Sequence, residues 1–166
     1  MFSDEQLIKS IVLALGSRPQ SSHATGLLDL DVGRDITERM RHAAAMKIAA
    51  GTSWLTARQL FQRVGREPSH APSVLGRWLR QGRTFALSCR GVRVYPAYSF
   101  EGSGQPIRCL REILCCLAGD EPVAIAAWFE SRSSYLDGQR PREQIASHSA
   151  RVVVAAQRHR EGPSQG

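Results

Sequence analysis

Between Thr56 and Val94 the chain is punctuated so closely that few orders of secondary structure fit it. In TARQLFQRVG, residues 56–65, Thr56 can cap a helix while Gln59 returns a bond to the cap, and Leu55 and Leu60 stand at the two positions of a hydrophobic staple. Leu60, Phe61 and Val64 then share an inward face and Gly65 supplies a left-handed stop, which predicts a helix over 57–64. A loop from Arg66 to Pro72 leads to a second helix opening at Ser73. At about 100° per residue, Leu75, Trp78 and Leu79 form its apolar face while Ser73, Arg77 and Arg80 gather opposite. Gly82 closes it. Phe85 and Leu87, and after CRG Val92 and Val94, alternate with small or polar residues, a hairpin signal with Gly91 able to take positive φ in the turn.

Helix, loop, helix and hairpin is the order of a winged helix-turn-helix. The predicted fold class is mainly α: a winged helix-turn-helix with a small β-hairpin, followed by a short helical bundle. The expected divisions are N-terminal helices over 1–50, the winged unit over 51–100, a helical partner-binding domain over 105–160 and a disordered tail over 161–166.

Charge assigns a use to the middle division. The 166 residues carry a net charge of +7, unevenly placed. Residues 1–50 hold six Lys/Arg and six Asp/Glu, residues 101–166 hold eight of each, and residues 51–100 hold eight against one. The stretch PSVLGRWLRQGRTFALSCRGVRVYPAY, residues 72–98, has five arginines and no acid. A localised surplus of this kind points to a polyanionic partner, most often nucleic acid. On a winged scaffold the second helix offers Ser73, Arg77 and Arg80 to a major groove, where Arg77 and Arg80 can choose guanine edges, while Arg83, Arg90 and Arg93 hold phosphate. Lys9 and Lys47 are the only lysines. A GC-rich genome and a need for planar, bidentate donors explain that equally well.

The flanks read as helices. Residues 3–15 open with a Ser3 cap and place Leu7, Ile8, Ile11, Val12 and Leu15 on one face. After the polar loop GSRPQSSHATG, a second helix is expected from an Asp35 cap through Ile36, Met40 and Ile48 toward Gly51. A dimerisation arm and a helix packed on its own domain both suit the first of these. Beyond the linker EGSGQP, Pro106 suits the first turn of a helix carrying Ile107, Leu110, Ile113, Leu114 and Leu117. Asp120 is expected to cap the next, through Trp128 and Phe129. Pro141 begins a short helix containing Ile145, and Ser149 caps a last one through Val152, Val153 and Ala156.

Other function classes find little support. No apolar run is long enough to span a bilayer, and Leu7–Leu15 is interrupted by Lys9 and preceded by Asp4 and Glu5, unlike a signal peptide, so a cytoplasmic protein is expected. Cys89, Cys109, Cys115 and Cys116 form no CxxC pair, which favours buried reduced thiols over a metal site. The five histidines are scattered and belong to no nucleophile, phosphate-loop or metal signature. No catalytic residue, metal or cofactor is expected.

The pattern AIAAWFESRSSYLDGQRPREQI followed by VVVAAQ resembles the toxin-binding domain of Xre/MbcA/ParS-type antitoxins. Trp128 ends a helix, Leu136 and Gly138 supply a Leu-x-Gly turn, Pro141 starts a short helix with Ile145, and Val152 belongs to a final apolar helix. The resemblance covers about residues 106–158. It implies an antitoxin that neutralises a partner toxin, often a RES-domain enzyme acting on NAD, and represses its own operon. Trp128, Phe129, Tyr135, Leu136, Gly138 and Pro141 are then the partner-binding candidates. A homodimer on double-stranded DNA is expected on separate grounds, because two half-sites roughly double the contacts. An orphan DNA-binding regulator without a toxin, and a protein-interaction module without DNA, remain the alternatives.

Overall fold

A computed structural model describes residues 4–16 and 29–162. The Ser3 cap, most of the loop expected after Gly16 and most of the expected tail lie outside them. The described residues form eight α-helices and three strands: α1 (Asp4–Gly16), α2 (Asp29–Gly51), β1 (Trp54–Thr56), α3 (Ala57–Arg63), α4 (Ala71–Arg80), β2 (Leu87–Cys89), β3 (Val92–Pro96), α5 (Leu110–Cys116), α6 (Pro122–Glu130), α7 (Pro141–Gln144) and α8 (Ser149–Glu161). The protein is mainly helical with one small antiparallel sheet.

β3 is the central strand, in the order β1-β3-β2. Trp54 pairs with Pro96 and Thr56 with Val94 on one side, Leu87 with Val94 and Cys89 with Val92 on the other. The β2–β3 hairpin was legible from alternation, whereas β1 was not. Locally Leu55 and Thr56 carry only the staple and the cap of α3, and the pairing that makes Trp54–Thr56 a strand comes from Val94–Pro96, far along the chain.

Several expected boundaries move. α2 already spans Asp35, expected to be its cap, and begins at Asp29. Pro106 is not in a helical first turn. It forms an antiparallel bridge with Phe100, the Ile107 amide donates to the Ser99 carbonyl at 3.0 Å, and α5 starts only at Leu110. The intervening turn needs Gly104 at φ 75°, a conformation that glycine takes without Cβ strain. Glu121 rather than Asp120 precedes α6, with Pro122 in its first turn.

One core joins the expected divisions. Leu7 and Ile11 of α1, Ala45 and Ile48 of α2, Phe85 just before β2 and Val94 of β3, Leu110, Ile113 and Phe129 of the C-terminal helices, and Val152 and Ala156 of α8 pack together. α1 therefore lies on its own chain, against α2 and β2. A smaller cluster of Leu60, Phe61, Ala71, Leu75, Trp78 and Tyr95 fastens α3 and α4 to the sheet.

The cysteines do not share one environment. Cys89 is buried, its thiol donating toward the Gln6 carbonyl at 3.7 Å, while Cys115 is exposed. Among the described residues no cluster of His, Cys, Asp or Glu could hold a metal, and no helix is long and apolar enough to cross a membrane.

Candidate nucleic-acid interface

The local signals around α3 and α4 have direct physical counterparts. The Gln59 amide donates to Thr56 Oγ1 at 3.3 Å and the Thr56 amide to Gln59 Oε1 at 2.9 Å, a reciprocal capping box. Gly65 takes φ 66° and the Arg66 amide returns to the Phe61 carbonyl at 2.9 Å, which ends α3. The stretch expected as loop then contains a 3-10 turn over Pro68–His70, and α4 starts at Ala71 rather than Ser73.

Two faces separate along α4. Ala71, Leu75 and Trp78 are buried and hold the helix to α3 and β3, while Ser73, Arg77 and Arg80 are exposed. The Ser73 hydroxyl donates to the His70 carbonyl at 2.9 Å, so part of its hydrogen-bonding capacity serves the first turn. Just past the helix, the Arg83 guanidinium stacks 5.6 Å from the Trp78 ring centre, a cation–π contact that steadies a long side chain.

The hairpin presents the remaining candidates. Its turn is only Arg90 and Gly91, both with positive φ, 50° and 78°. That is the backbone of a two-residue primed turn, whose twist suits the flanking strands. Arg90 therefore sits at the tip, exposed. Arg93 is exposed opposite Ser88, while its neighbours Val94 and Tyr95 turn into the core. Burial pushes the Tyr95 phenol up, and the nearby Arg93 charge acts in the opposite direction.

Among the described residues, no arginine of 51–100 is ion-paired. The recorded pairs include Lys9–Glu5, Arg142–Glu130, Arg151–Asp137 and Arg158–Glu161, all elsewhere. Glu67, the one acid of the segment, instead accepts the Ser69 amide at 3.2 Å. Arg58, Arg63 and Arg66 of α3 and its end are also exposed, Arg66 lying 5.8 Å from the Phe61 ring centre. These three were not singled out as site residues. Their signal was the same acid-free count that marked the others.

The six partner-binding candidates divide differently. Phe129 is 0% exposed, Leu136 2%, and Pro141 is fully buried, so these three shape the bundle and have no surface to offer a partner. Gly138, at φ 76°, follows Asp137, itself left-handed at φ 55°; together they turn the chain. Trp128 is partly exposed, edge-on to Phe129 at 4.9 Å and 6.2 Å from His159. Tyr135 is half exposed. Of the six, Trp128 and Tyr135 are the aromatic groups that reach the surface.

Comparison of the chain with protein-family models, curated proteins and solved structures found no match.

Proposed function

We propose that this protein is a double-stranded DNA-binding transcriptional regulator, acting as the antitoxin and autorepressor of a toxin–antitoxin pair. The observation that carries the reading is the set of exposed arginines, Arg77, Arg80, Arg90 and Arg93, without carboxylate partners on one helix and the adjoining hairpin. Unpaired guanidinium groups on a folded surface retain their full attraction for phosphate, and release of condensed counterions supplies the affinity.

The order α2, β1, α3, α4, β2, β3 with sheet order β1-β3-β2 supports a winged helix-turn-helix. In that arrangement α4 is the recognition helix, Arg77 and Arg80 meet base edges, and the hairpin holds Arg90 and Arg93 at the backbone. Two half-sites and a homodimer follow from the symmetry of such operators.

Neutralisation of a toxin, of the RES class that the resemblance to Xre/MbcA/ParS-type antitoxins implies, falls to the C-terminal helices, with Trp128 and Tyr135 as contacts. Burial of Phe129, Leu136 and Pro141 narrows that surface and favours, as a second reading, a DNA-binding regulator that acts without a toxin.

A mobility-shift titration with the DNA upstream of the protein's own gene tests the main reading. With four to six arginines engaged, the log–log salt slope should be about −4 to −5. An Arg77→Ala/Arg80→Ala variant should keep its fold and lose specific binding. Binding that is indifferent to salt, or unchanged in that variant, would contradict it. Co-purification with the product of an adjacent gene separates antitoxin from orphan regulator.

A further inference from the structure

Helix α2 carries two apolar faces. Ala45, Ile48 and Ala49 are buried in the main core. On the opposite side Ile36, Met40, Ala43, Lys47 and Ala50 are all exposed, Ile36 by 50% and Met40 by 68%. Their spacing alternates between four and three residues, the repeat of a coiled-coil seam, and at about 100° per residue they fall within a stripe about 80° wide. Lys47 is the one charge in that seam, and it has no ion-pair partner among the described residues.

Charge is divided along the same helix. Residues 29–40 carry Asp29, Asp31, Asp35 and Glu38 against Arg34 and Arg39, whereas residues 41–51 carry Arg41 and Lys47 and no acid. Arg132, whose Nη1 donates to the Gly138 carbonyl at 3.2 Å, lines the groove alongside Met40 and Lys47 and adds a further cation there. A helix acidic at one end and basic at the other complements a copy of itself laid antiparallel; in a parallel pair, like ends would meet.

We propose that a second copy of this chain docks on this stripe, α2 against α2, antiparallel about a two-fold axis at Ala43. The pairing sets Ala43 on Ala43, Met40 beside the partner's Lys47 and Ile36 beside the partner's Ala50. Small side chains at the axis let the helices approach closely. The aliphatic stem of Lys47 covers Met40 across the seam, and its ammonium reaches toward the acidic half of the other helix. The pairing rests on the DNA-binding reading for its homodimer alone, and no residue of the stripe belongs to the basic face.

Sedimentation equilibrium of the full chain without DNA tests this. The parent should pass from the 18.3 kDa chain to twice that mass with a dissociation constant of about 1–10 μM, suited to an interface at the small end of the specific range. Ala43→Glu sets two carboxylates face to face at the axis and should raise that constant at least about tenfold. Position 43 is exposed and glutamate is a good helix former, so the circular dichroism should stay that of the parent. An exchange of charge reads the register. Met40→Lys brings two lysines together across the seam and should weaken pairing about tenfold, and adding Lys47→Glu should recover at least about threefold of that loss. A parent that stays monomeric to about 100 μM, a dimer that Ala43→Glu leaves intact, or a double variant no tighter than Met40→Lys would overturn the proposal. A monomer that still shifts DNA would remove this pairing alone, and a dimer that binds no DNA would support it while removing the regulatory reading.

Discussion

Phe85, which leads into β2, lies parallel to Phe129 of α6 in an offset stack, with ring centres 5.9 Å apart and planes 7° from parallel. Tyr98 covers Phe129 from another side at 5.0 Å. The hairpin that carries Arg90 and Arg93 is thus anchored in the C-terminal bundle, so the basic face and the helical half share their packing.

Phe129→Ala should therefore cost about 3–5 kcal/mol, the usual loss for emptying a fully buried aromatic site. Denaturant melts followed by far-ultraviolet circular dichroism and by tryptophan fluorescence should remain coincident in the parent chain, since Trp128 packs against the main core and Trp78 lies in the smaller cluster, and β3 ties the two together through Val94 and Tyr95. A fragment limited to residues 51–100 should fail to fold. Two resolved transitions would show that the halves are independent.

How far the sequence could be read follows from the range of the forces involved. The α3 capping box, the two-faced α4 and the turn through Leu136, Gly138 and Pro141 depend on neighbours within a few residues, and their patterns are visible in the chain. Strand β1 exists because Trp54 finds Pro96, and Phe129 is buried because Phe85 and Tyr98 enclose it. Such pairings leave no mark in local spacing. Phe129 and Leu136 were expected to contact a partner for that reason: an aromatic or aliphatic residue at helical spacing looks the same whether it meets another protein or its own core. The arginines were easier, because a segment with eight cations and one acid cannot neutralise itself locally however it folds.

Arg90 holds a left-handed backbone at φ 50°, which an L residue with a Cβ adopts at a cost of about 1 kcal/mol and asparagine adopts more readily. Arg90→Asn should raise stability by about 0.5–1 kcal/mol while lowering DNA affinity and reducing the magnitude of the salt slope by about one. Thermal melts and salt-dependent mobility shifts on the same protein measure both. A variant that gains stability and binds DNA as before would show that the strained tip serves no contact.

Tyr98 carries a hydroxyl that is buried without a partner. Burial, and secondarily the Glu130 carboxylate, push its phenol well above the ordinary value. An unsatisfied buried hydroxyl costs about 1–3 kcal/mol, so Tyr98→Phe should stabilise the protein by about 1 kcal/mol. The sign of the pH effect follows from linkage. Above about pH 10 the unfolded phenol releases its proton while the folded one keeps it, so stability falls as pH rises further. Urea midpoints measured between about pH 9 and 11 should fall less steeply for Tyr98→Phe than for the parent. A destabilised Tyr98→Phe would mean that the hydroxyl has a partner after all.

Gly51 ends α2 where the Glu130 carboxylate lies against its Cα, so a Cβ added there would collide with that group. In an ordinary helix Gly→Ala gains about 0.8–1 kcal/mol. Here the new methyl must push Glu130 from its 2.8 Å contact with Arg142, leaving that partly buried guanidinium with only its longer 3.4 Å contact to Glu143 and the Glu130 carboxylate displaced from its buried site, a loss of about 1–3 kcal/mol that should outweigh the gain. Gly51→Ala alone should then be destabilising by up to about 2 kcal/mol, the difference between those two effects. In a Glu130→Ala background the collision is gone, and the same substitution should become stabilising by about 0.5–1 kcal/mol. A double-mutant cycle by urea denaturation reads this reversal directly. Additive effects in the two backgrounds would mean that Glu130 does not occupy the space over Gly51.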